Sequence, residues 1–355
     1  MRRVSSLVLG ALGVMGVLGG AGTLGAQANS GDPIRVVATL PVYASVVREI
    51  GGSAVEVTSI ADPREDAHFV RPKPSFARDL RGAQLFVTTG LDLELWVPAL
   101  LDKAANPDVL EGGKGYVAVY PGIELLDVPA TADRSAGDIH LFGNPHLHTD
   151  PLRVLQVARN ITAGLKRVDP GRSATYDEGL AAFQSRIYRH LFGDELVGVL
   201  GGEILERLAL SGNFFSFIHE NSHEGRPLAD LLGGWLAAAA PFRDREIICY
   251  HKNWAYFEDR FQVRCAEYVE AKPGIPPTPG HTARLIELMR DQGIKVVLAA
   301  DYFDRRKVES VADRGQATAV IVPFAPGGRP GITDYFALVD RWVNDLSAAF
   351  SGGAS

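Results

Sequence analysis

Ile34-Arg-Val-Val-Ala-Thr-Leu-Pro-Val-Tyr-Ala-Ser-Val-Val-Arg-Glu-Ile50 decides how the rest of the chain is read. Ile34 to Leu40 is an almost unbroken apolar, β-branched run, the composition of a buried strand. Pro41 has no backbone N–H to lose and its φ is already near the helical value, so it suits the first turn of a helix over Val42 to Ile50. A buried strand followed at once by a helix is the unit from which parallel sheets are built.

The unit recurs outward from there. Ala54 to Ile60 reads as a second strand, and a loop rich in proline and charge follows, Ala61 to Ser75, with Ser75 placed to cap a helix Phe76 to Leu80. Gln84 to Thr89 is a third strand and Leu93 to Leu101 a helix. Asp150-Pro151 forms an N-cap and first-turn pair, and Leu152, Leu155, Ala158, Ile161 and Leu165 then recur at helical spacing. After Asp169-Pro-Gly171 the chain can run as one long helix over residues 173–198. At 1.5 Å per residue it would span about 37 Å, enough to bridge two lobes. A second α/β half then places strands at Glu246 to Tyr250, Gln262 to Val269, Ile294 to Ala300 and Thr318 to Val322. Helices fall near Trp254 to Arg260, Pro279 to Gln292, Arg305 to Gly315 and Ile332 to Phe350. The expected fold class is α/β: two lobes, each a mainly parallel sheet flanked by helices, joined by one long helix. The expected organisation is a signal peptide at 1–28, an N-terminal lobe at 29–172, the linker helix at 173–198, a C-terminal lobe at 199–350 and a disordered tail at 351–355.

Composition agrees. The chain has 355 residues, 46% hydrophobic and 22% charged, room for two real cores. Met1-Arg-Arg, the apolar Leu7 to Leu18 and Ala26-Gln-Ala28 have the order of an export signal with its cleavage site. No cysteine stands near that site to accept a lipid, so the expected product is periplasmic or otherwise exported, with a cleaved signal peptide. Losing Arg2 and Arg3 takes the formal charge from −6 to −8, which argues against a nucleic-acid partner. Cys249 and Cys265 lie in consecutive apolar runs; a disulfide and a pair of buried thiols both fit.

Ligands of open parallel sheets gather at the carboxyl ends of strands. His251 and Asp301 directly follow strands, His68 lies in the loop after the second, and His140, His146 and His148 crowd Asp138 to Pro151. Three neutral imidazoles with a carboxylate suit Zn²⁺, while Mn²⁺ tolerates more oxygen. Asp301 could equally cap the following turn, with Asp304 capping the helix at Arg305. His190 reads as a solvated helix face, His219 and His223 as surface, and His281 as structural.

Three segments carry a resemblance. Asp66-Ala-His68-Phe-Val-Arg-Pro-Lys-Pro-Ser75, Asn144-Pro-His146-Leu-His-Thr-Asp-Pro151 and Tyr250-His251-Lys-Asn-Trp-Ala-Tyr-Phe257 resemble, in order, the ligand segments of the zinc/manganese solute receptors of bacterial ABC importers, the cluster A-I metal-binding proteins with a rigid linker helix. Glu270 to Pro277 is similar to the segment that usually follows the third. The resemblance implies His68, His146 and His251 as metal ligands in an interlobe cleft. His148 stands where the family often has Trp, an alternate or outer ligand. The family's late acidic ligand has no counterpart in Val322 to Gly328, leaving the fourth position to Asp301 or a water. The long His-rich loop of some zinc members is missing.

The expected function is therefore an extracytoplasmic, monomeric receptor, not an enzyme, that captures Zn²⁺ (Mn²⁺ less so) and delivers it to an ABC permease in the inner membrane. Affinity should fall as pH drops through the histidine range near about 6.5. A zinc-dependent hydrolase with a three-histidine site, using Asp301 or Glu65 as base, is the rival, although no His-Glu-x-x-His motif is present. A structural zinc in a surface adhesin is a third reading.

Overall fold

The computed structural model describes residues 31–129, 140–270 and 274–352. The expected signal peptide and the last three residues of the expected tail lie outside them. Strands β1 (Ile34–Ala38), β2 (Val55–Ser59), β3 (Leu85–Thr88) and β4 (Tyr116–Ala118) form a parallel sheet in the order β2-β1-β3-β4. A small antiparallel pair, β5 (Ser222–His223) and β6 (Arg226–Pro227), follows. The second sheet is again parallel: β7 (Glu246–Cys249), β8 (Arg264–Tyr268), β9 (Val296–Ala300) and β10 (Thr318–Val322), in the order β10-β9-β7-β8. Central strands β3 and β9 are buried throughout, as strands covered on both faces must be. Cys249 and Cys265 form a disulfide between neighbours β7 and β8, which settles the open choice between bridge and thiols.

Several boundaries differ from expectation. Pro74 opens the helix Pro74–Gly82, so Ser75 lies within its first turn and caps nothing. A turn occupies Leu93, and the helix there runs Val97–Ala104. Strand β4, three residues after a glycine-rich turn, is too short to show a period. The helix expected over 173–198 ends at Phe192, and a separate one runs Asp194–Leu200. Gly193 between them has φ +86, and a Cβ there would stand 2.5 Å from the Cα of Gly233. Only glycine meets both demands.

One apolar core runs through both halves. It takes in β1 and β3, the inner faces of helices Pro151–Val168 and Ser173–Phe192, and the C-terminal helix Tyr335–Phe350. A smaller cluster fills the outer face of the second sheet, around Val297, Met289 and Val311. Because the main core is shared, the cleft between the sheets is braced along its base.

Candidate metal centre

The residues at the carboxyl edges of both sheets converge. His68 sits in a 3-10 turn, Ala67–Phe69, capped by Asp66. The Asp66 carboxylate accepts the His68 backbone N–H at 3.0 Å and lies 2.6 Å from its Nδ1. His251, two residues past β7, has its Nδ1 2.9 Å from Glu270, which follows β8. A carboxylate only accepts, so in both rings Nδ1 carries the proton and Nε2 is the acceptor end of the ring. His146 is buried with neither ring nitrogen on a protein partner, and its ring centroid is 5.3 Å from that of His68 and 6.1 Å from that of His251. Ligand atoms of His68, His146 and His251 all lie within 4.8 Å of one another.

Electrostatics favour the neutral ring at His146, the state a metal requires. Burial, then the neighbouring imidazoles, push the His146 pKa well below its usual value. Burial opposes ionisation of Asp66, yet the hydrogen bonds and charge of His68 hold its carboxyl below the ordinary range.

The loop bearing His146 is tied down from the other half of the chain. Asn144 donates to the Lys252 carbonyl at 2.9 Å, and Tyr256 donates to the Asn144 carbonyl at 2.6 Å. Asp150 caps the following helix through the Leu152 N–H, as the sequence indicates, and also takes two bonds from Arg260 and one from Arg153. Tyr335 of the C-terminal helix donates to the His148 carbonyl at 2.9 Å. The contacts of Lys252, Tyr256, Arg260 and Tyr335 each span more than a hundred residues, so the sequence does not show whom they meet.

Asp301 is placed differently from its expected role. Its Oδ2 accepts from Arg329 at 2.8 Å, and it does not belong to the group whose ligand atoms converge. Burial raises its pKa against the pull of Arg329. Asp304, as expected, caps the next helix through the Arg306 N–H. His148 packs its ring 4.8 Å from Phe324 and 6.4 Å from Trp342, and burial lowers its pKa to about 3. It fills an aromatic position. His281 is structural, as expected, donating its Nε2–H to the Tyr268 carbonyl at 2.8 Å. His219 and His223 are exposed. His190 is less solvated than expected, lying against Trp235 and Phe336 at 5.1 and 4.9 Å.

Residues 36–189 and 231–349 match the family described as "Zinc-uptake complex component A periplasmic", ZnuA. The chain belongs to this family. Its members are solute-binding proteins of ABC transporters and not enzymes. The receptor is 23% identical over 349 residues, 97% of each chain, to the iron ABC transporter substrate-binding lipoprotein MtsA of Streptococcus pyogenes serotype M1. It is 25% identical over 191 residues to the manganese ABC transporter substrate-binding lipoprotein scaA of Streptococcus gordonii, covering 53% of this chain and 58% of that one. In fold it is similar to a crystal structure of ZnuA, with a TM-score of 0.66 at 19% identity over 90% of this chain and 100% of that one. A Mn-bound periplasmic metal-binding protein from Candidatus Liberibacter asiaticus gives 0.61 at 14%, over 89% and 99%. The two-lobed α/β fold and the family expected from the three motifs are both borne out.

The sequence reading missed the carboxylates behind the rings. Asp66 was legible as an acid two residues before His68, but Glu270 meets His251 only through the pairing of β8 with β7.

Proposed function

We propose that this exported receptor captures a divalent transition metal, zinc foremost, on His68, His146 and His251, and delivers it to the membrane permease of an ABC importer. Cleavage of the export signal near Asn29 belongs to the same reading. The observation that carries it is the convergence of three imidazoles from both halves within 4.8 Å, on borderline nitrogen donors that suit zinc. Asp301 keeps Oδ2 on Arg329 and has Oδ1 buried without a partner, and it stands outside the three converging rings.

The surroundings favour a receptor over a hydrolase. Beside His146 a cavity of about 30 Å³, lined by His148, Glu65, Asp66, Tyr302 and Phe324, has room for a water. Asp301, one of the two conceivable bases, is held by Arg329.

Metal analysis of the purified protein, with competition of Zn²⁺ against Mn²⁺ on wild type and His251→Ala, tests the reading. Loss of at least a hundredfold in zinc affinity is expected for the variant. Full affinity in His251→Ala would refute a site shared by the two halves.

A further inference from the structure

His140, one of the three histidines crowding Asp138 to Pro151 in the sequence, lies against the converging rings. Its Nε2 stands 3.1 Å from Nε2 of His68, with ring centroids 5.1 Å apart and nearly stacked. The same ring lies 5.8 Å from that of His146. Its Nδ1 is 3.1 Å from Asp92 Oδ1, and the other oxygen of Asp92 accepts the Leu141 N–H at 2.9 Å. Asp92 is itself largely buried, its side chain 8% exposed.

The tautomers follow from these partners. Asp92 fixes the proton of His140 on Nδ1, as Asp66 fixes that of His68. Two neutral rings of this tautomer then point Nε2 lone pairs at each other across 3.1 Å. Lone pair against lone pair is repulsive, and a cation bound by both turns the repulsion into attraction. Four nitrogens around a tetrahedral zinc at 2.0–2.1 Å stand about 3.3 Å apart. The spacing of His140 and His68 is already that of two ligands on one ion, and closing on the other two rings needs a movement of His140, which stands outside the group converging within 4.8 Å.

Charge supports the same conclusion. Four neutral imidazoles give a buried dication no counter-charge, and such an ion is costly unless compensated. Asp66, Asp92 and Glu270 stand directly behind three of the rings. Such outer carboxylates orient the ring and raise its basicity.

Resting on the three-histidine reading above, we propose that His140 is the fourth ligand. The site then becomes an all-imidazole set that selects zinc over the oxygen-preferring manganese.

X-ray absorption of the zinc-loaded wild-type protein should give four nitrogen neighbours at about 2.0 Å with imidazole outer-shell scattering. His140→Ala should show three nitrogens and one oxygen. Its zinc affinity should fall 10- to 100-fold with manganese affinity unchanged, so that discrimination shrinks at least tenfold. A wild-type site of three nitrogens and one oxygen overturns the proposal whether or not the variant folds. Unchanged zinc affinity and zinc-to-manganese ratio in a folded His140→Ala overturns it too. In either case weak binding by His251→Ala leaves the receptor reading standing, whereas full affinity in both variants removes both.

Discussion

At the residue scale the centre is a set of rings whose orientation is decided by acids behind them. Glu270 stands 2.9 Å from His251 Nδ1 and Asp66 2.6 Å from His68 Nδ1. Glu270→Gln keeps the shape and can still accept the N–H, but removes the charge that makes the ring a better donor. Zinc affinity should fall about 10- to 100-fold, measured by chelator competition. Retention of full affinity would mean that the carboxylate only packs. His148 invites the opposite experiment. Both its nitrogens are buried without a protein partner, and it lies among Phe324 and Trp342. An unsatisfied buried polar atom costs about 1–3 kcal/mol, so His148→Phe should raise the unfolding midpoint and leave zinc binding intact. Lost binding would make His148 a ligand. The three principal histidines were legible because each sits in a local motif. Glu270 and Asp92 were not, since their partners are 19 and 48 residues away and only the sheet order brings them together.

At the scale of elements, the sequence showed strands and helices where burial is continuous and misplaced them where a neighbour decides. Gly193 is one such place: nothing in Phe192-Gly-Asp194 says that the backbone of Gly233 will lie against it. Glu258, on the helix Ala255–Phe261, is another. It accepts the Cys265 N–H at 2.6 Å, while burial and then Asp127 raise its pKa to about 7 from 4.5. The folded state therefore holds a proton that the unfolded chain has released. Between pH 4.5 and about 7 the unfolded state binds fewer protons, and stability falls as pH rises, by at most roughly 3 kcal/mol. Glu258→Gln keeps an acceptor and removes the titration. Its unfolding midpoint should exceed that of wild type at pH 8 and converge with it near pH 4.5. Parallel curves at the two pH values would show that Glu258 ionises normally.

At the scale of the molecule, the shared core and the tied ligand loop limit how the receptor can open. A hinge between the sheets would have to break the Arg260–Asp150 pair and withdraw Tyr335 from His148. Removing one partner of a buried pair costs about 3–5 kcal/mol, a large part of a domain's stability. Small-angle scattering of metal-free and zinc-loaded protein should give the same radius of gyration within error. A clear contraction on loading would contradict a braced cleft. Bound metal should still raise the melting temperature, by about 4 kcal/mol of stability at a thousandfold excess over Kd. Movement on release then falls to the loop carrying His68. The two-lobe architecture was legible from the alternation of strands and helices. The bracing was not, because it rests on side chains that meet only after both halves have formed.

The tethers on the His146 loop also bear on the order of biosynthesis. A chain crossing the membrane amino-terminus first delivers His68 and His146 early, while Lys252, Tyr256, Arg260 and finally Tyr335 arrive later. Until the last helix docks, the loop lacks its Tyr335 tether. A chain ending before Tyr335 should therefore hold the His146 loop less firmly and bind metal less tightly.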